Sequence, residues 1–105
     1  MDIPTRLDLA AAQDEFKSWL QSQPSGSIVG LAGNDSDCPI ARFLAKKSGR
    51  DVLITSVQWR FEGELLDDCV AVPLWVKEFI LAVDELPDEN VTREQALAIL
   101  GGIRL

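Results

Sequence analysis

Histidine is missing from all 105 residues, and so is tyrosine. The absence of histidine removes the commonest general base and the commonest metal ligand. Cysteine occurs twice, at Cys38 and Cys69. The pair is too widely spaced for a Cys-x-x-Cys redox motif and too small for a zinc ribbon. A disulfide between them is disfavoured in a reducing compartment. Long apolar runs are absent too, and nothing nears the roughly 20 residues that span a bilayer. The opening Met1-Asp2-Ile3-Pro4-Thr5-Arg6 lacks the hydrophobic stretch of a signal peptide. These gaps predict a cytoplasmic protein with reduced thiols, no cofactor and no membrane partner.

Positive charge is scarce. Ten Lys and Arg face 17 Asp and Glu, for a net charge of −7. The first half of the chain is balanced, so the whole deficit falls between residues 51 and 105. Such a surface repels the phosphate backbone that supplies most non-specific nucleic-acid affinity, and nucleic-acid binding is disfavoured. The simpler reading of the acidic half is a solvated face.

What remains is ordinary globular material, 47% hydrophobic and 26% charged. At this length it predicts a single domain spanning residues 1–105. A first helix is expected to start near Thr5, as cap, with Leu9, Ala12, Phe16, Trp19 and Leu20 on one face. Pro24-Ser25-Gly26-Ser27 ends it. Ile28 to Ala32 suits a buried strand or an ordered loop equally well.

A second helix follows the polar turn Gly33-Asn34-Asp35-Ser36-Asp37. Ser36 or Asp37 is its expected cap, with Pro39 in the first turn and Gly49 as a left-handed stop. Ile40, Phe43 and Leu44 should face the core. Alternation from Val52 to Phe61 predicts one strand. A turn at Glu62-Gly63-Glu64 and a return strand near Cys69–Val72 would complete a hairpin. Pro73 opens a third helix, whose stripe of Val76, Phe79, Ile80 and Val83 is widened by Leu74, Trp75 and Leu86. Pro87-Asp88-Glu89-Asn90 ends it. Thr92-Arg93-Glu94-Gln95 has the pattern of a capping box, with Val91 and Ala96 placed for a hydrophobic staple. The fold class expected is α+β, with about four helices packed on a short antiparallel β-hairpin or small sheet.

Three features carry candidate chemistry. Cys38 lies in the first turn of a helix, where the dipole can lower a thiol pKa and sharpen a nucleophile. Asp35 and Asp37 oppose that effect, no histidine can serve as base, and a buried packing role is the competing reading. Arg42, Lys46, Lys47 and Arg50 form the one basic cluster, suited either to a helix C-terminus or to docking an acidic partner. Trp19, Trp59 and Trp75 belong chiefly to the core. Trp59, beside Arg60 and an acidic turn, is the one we expect to be partly exposed as an interface anchor. Asn34-Asp35-Ser36-Asp37 and Asp84 to Asn90 lack the glycine and distal glutamate of a calcium loop, so no metal site is expected. Gly30-Leu31-Ala32-Gly33 fits neither phosphate-binding glycine pattern.

Asp37-Cys38-Pro39-Ile40-Ala41-Arg42-Phe43-Leu44, Pro73-Leu74-Trp75, Phe79, Val83-Asp84 and Val91-Thr92 with Ala96-Leu97 together resemble a pattern found in small uncharacterised proteins of bacteria and their phages. The resemblance implies a prokaryotic origin and no activity. From the residues themselves we expect a non-enzymatic protein-interaction or regulatory module, with Trp59, Arg60, Arg42 and Lys46 as binding residues. The alternatives are a thiol-dependent enzyme or redox sensor built on Cys38, and a homo-oligomeric structural subunit. A protein partner or self-association is expected in each non-enzymatic case.

Overall fold

The polar turn at 33–38 ties the molecule together, in a computed structural model that describes residues 9–64 and 69–103. A 3-10 turn (Leu9–Ala11) leads into α1 (Gln13–Gln21), then β1 (Ile28–Leu31) and α2 (Pro39–Ser48). Three short strands follow: β2 (Val52–Ile54), β3 (Gln58–Phe61) and β4 (Val70–Ala71). The chain closes with α3 (Leu74–Asp84), β5 (Asn90–Thr92) and α4 (Arg93–Gly101). One antiparallel sheet pairs β1 with β5, and the other has the order β2-β3-β4. Four helices with two small sheets make an α+β fold. No described helix is long and apolar enough to cross a membrane.

From the polar turn, hydrogen bonds run outward to three elements. Leu31 N–H in β1 donates to the Asp37 carbonyl at 2.8 Å, and Ile54 N–H in β2 donates to the Asp35 carbonyl at 2.9 Å. The Asp84 carboxylate at the end of α3 accepts from Gly33 N–H at 3.0 Å. Two sheets and a helix therefore share one loop. β1 can come this close only because residue 30 is glycine. A Cβ there would lie 2.3 Å from the Pro39 nitrogen, well inside contact distance.

Several expectations need correction. The cap proposed at Thr5 lies outside the described residues, and α1 starts at Gln13, where the cap position Ala12 has no side-chain hydrogen bond. The tight turn before it buries Leu9 and Ala12, and Leu9 carbonyl accepts the Trp75 indole N–H at 2.7 Å. The residue at the α2 cap position is Cys38 rather than Ser36 or Asp37. Ser36 is held by Asn34 instead, and Asp37 by Arg42.

The single strand from Val52 to Phe61 is in fact a hairpin. Thr55 N–H donates to the Gln58 carbonyl, and its hydroxyl accepts from the Val57 and Gln58 N–H groups, so the chain reverses there. Reversal switches the inward set from even to odd residues: Val52 and Ile54 pair with Phe61 and Trp59 on the buried face. Asn90, expected to be loop, begins β5. Its partner β1 is a strand with a bulge between Ile28 and Gly30.

Other expectations hold. Gly49 ends α2 with φ 74°, Gly63 turns at φ 93°, and the return strand forms at Val70–Ala71. The Thr92 capping box is complete in both directions. A single cluster of buried side chains runs from Leu9 to Leu100, with Phe16, Phe43, Trp75 and Phe79 in ring contact at its centre.

Candidate functional site

Cys38 lies at the floor of a recess of about 130 Å³ walled by Asp35, Thr55, Ser56, Ile80 and Asp84. The polar turn, the reversal after β2 and the end of α3 meet to form this recess. Burial raises the Cys38 thiol from its ordinary 9.0 to about 11. The amides of Ala41 and Ile40 at the helix start pull the other way and lose, while the Asp35 and Asp84 carboxylates add to the rise. At neutral pH the thiol keeps its proton. A buried thiol held protonated in this way is a poor nucleophile. Among the described residues no group of three Cys, Asp or Glu side chains converges as a metal site. Cys69 is also a free thiol, half-buried, and lies in the separate hollow that contains Leu53 and Arg60.

The basic cluster is largely spoken for. Arg42 grips Asp37 through Nε at 2.7 Å and Nη2 at 3.1 Å, and its third nitrogen reaches the Ile28 carbonyl. Lys47 pairs with Glu15 on α1. Arg50 lies over the Phe61 ring at 4.2 Å. Lys46 is exposed with no ion-pair partner among the described residues. Arg60 donates to the Glu64 carbonyl at 2.6 Å across the turn that follows β3. Four of the five cations thus serve local structural tasks, and Lys46 alone among them is left with no such task among the described residues.

Trp59 is not a surface anchor. Its relative exposure is 1%, because the hairpin reversal turns it inward, where its ring meets Phe61 edge-on at 5.2 Å. Trp75 is buried as well, and Trp19 is half-buried against Phe16 and Phe43.

Large apolar side chains do reach the surface elsewhere. Leu74 is 65% exposed and Leu81 46% exposed, both on the outer side of α3. Val57, at the hairpin turn, and Val70, in β4, are exposed as well. Val72 N–H donates to the Val57 carbonyl at 3.1 Å, so this turn lies beside the chain that enters α3. Trp75, Val76, Phe79, Ile80 and Val83 face the core, which leaves Leu74 on the outside and corrects its expected place in the inward stripe. Sequence reasoning missed Leu81, Val57 and Val70 as surface residues. A signal was available for Leu81: at helical spacing it falls between Lys77 and Glu78, on the side opposite the stripe of Val76, Phe79 and Val83.

No family model, curated protein or solved structure matches the chain.

Proposed function

We propose that this protein is a non-enzymatic interaction module of the cytoplasm that binds a protein partner through the outer face of α3. The carrying observation is the outward projection of Leu74 and Leu81 from a helix whose other apolar residues are buried. Apolar side chains grouped on a surface mark contact sites more often than they serve the fold. Val57 is exposed beside the chain entering α3, where its carbonyl accepts from Val72 N–H, and Val70 is exposed two residues before Val72. The groups capable of covalent chemistry favour no competing reading. Cys38 is protonated and buried, and the sequence has no histidine to act as its base. Free thiols at Cys38 and Cys69 fit a reducing compartment.

The test is a paired pull-down from native extract using the wild-type chain and a Leu74→Asp/Leu81→Asp variant. Both positions are solvent-facing, so the variant should keep its circular dichroism spectrum and melt within a few degrees of wild type. A stoichiometric partner retained by the wild type and lost by the variant is the expected result. Identical partner sets, with the variant folded, would remove α3 from the interaction.

A further inference from the structure

Leu74, Glu78 and Leu81 follow one another along the exposed side of α3 at steps of four and three residues, and Glu85 at its C-cap continues the row four residues on. That spacing places them on the one face a partner helix would cover, a seam in which leucine and carboxylate alternate. Neither the Glu78 nor the Glu85 carboxylate has an ion-pair or hydrogen-bond partner among the described residues. Glu85, at the C-cap of α3, also runs against the helix dipole, which favours cations at that end, and the last turn of α3 has none. Asp84 has a structural task in holding Gly33, whereas Glu78 and Glu85 have none.

We propose that this seam docks a basic amphipathic helix of a foreign protein, one that sets an aliphatic side chain against each leucine and Arg or Lys against each glutamate. This rests on the interaction reading given above and specifies the chemistry of the partner. A second copy of the chain fits poorly. Parallel pairing of two α3 helices stacks Glu78 on Glu78 of the copy, and antiparallel pairing sets each carboxylate against a leucine. On α3 itself the one cation is Lys77, on a flank of this row. A partner with cations at alternate seam positions satisfies both carboxylates and covers both leucines, and Val57 and Val70 extend the apolar contact toward the start of α3.

Two stapled, monomeric helical peptides with the same leucine seam serve as probes, one with Arg and Lys at the alternate positions and one with Glu. Fluorescence anisotropy against the full chain should show at least about a tenfold preference for the basic peptide, shrinking as salt is raised. Glu78→Lys/Glu85→Lys should reverse the preference, and Leu74→Asp/Leu81→Asp should abolish binding of both peptides. Equal binding of the two peptides, no binding of either, or a preference that the charge reversal leaves intact would overturn the proposal. These outcomes differ from failure of the interaction reading, which shows as a pull-down insensitive to the leucine variant. Sedimentation that reveals a dimer lost in the leucine variant would also overturn it, by assigning the seam to a second copy.

Discussion

Cys38 shows how a helix start can hold a thiol inert. Its two nearest amides favour the thiolate, but burial opposes it more strongly. The folded thiol therefore binds its proton more tightly than the unfolded one. Its contribution to stability is complete below the ordinary thiol value of 9.0 and is lost as the pH climbs to about 11. Urea midpoints measured across that window should fall more steeply for wild type than for Cys38→Ser, which differs only in lacking the Cys38 thiol. At neutral pH a thiol reagent should count one accessible cysteine, Cys69, in the native protein and two after unfolding. Rapid labelling of Cys38 in the folded chain would contradict this. Gly30 is the second residue-scale constraint. Gly30→Ala forces a Cβ into the backbone of Pro39, and the expected cost is about 3 kcal/mol, read as a lowered midpoint with an unchanged slope.

Among the elements, α4 has the most explicit start. Thr92 accepts from Gln95 N–H at 3.1 Å while the Gln95 side chain accepts from Thr92 N–H at 2.9 Å. Thr92→Ala removes half of this exchange and should lower stability by about 1 kcal/mol in thermal or urea unfolding. That start was legible in the sequence because a capping box is local chemistry over four residues. Gly49 was legible for the same reason, as was the inward face of α2. The hairpin between β2 and β3 was not, since Leu53, Thr55 and Val57 alternate as smoothly through a reversal as through a straight strand. Only the Thr55 hydroxyl marks the turn. β5 escaped notice because its partner lies near the other end of the chain, and no local pattern in Asn90-Val91-Thr92 announces a pairing with Ile28–Leu31. At the candidate site, Cys38 was legible as a packing residue, whereas the exposure of Leu74 and Leu81 depends on which side of α3 the core occupies. That is settled by tertiary packing.

Across the whole molecule, both sheets and α3 hang from residues 33–38, and the buried side chains form one connected cluster. No part of the core is separable from this loop. Unfolding followed by tryptophan fluorescence should therefore coincide with unfolding followed by far-ultraviolet circular dichroism, in one transition. Midpoints that differ between the two probes would mean that the sheets come apart independently. The pairing of β1 with β5 also sets a schedule for biosynthesis. Ile28–Leu31 leaves the ribosome roughly sixty residues ahead of the strand that completes it, an interval of several seconds at about 5–20 residues per second. During that interval β1 is an uncompleted edge able to pair with other nascent chains. At four residues it is short, and that brevity is what limits the hazard.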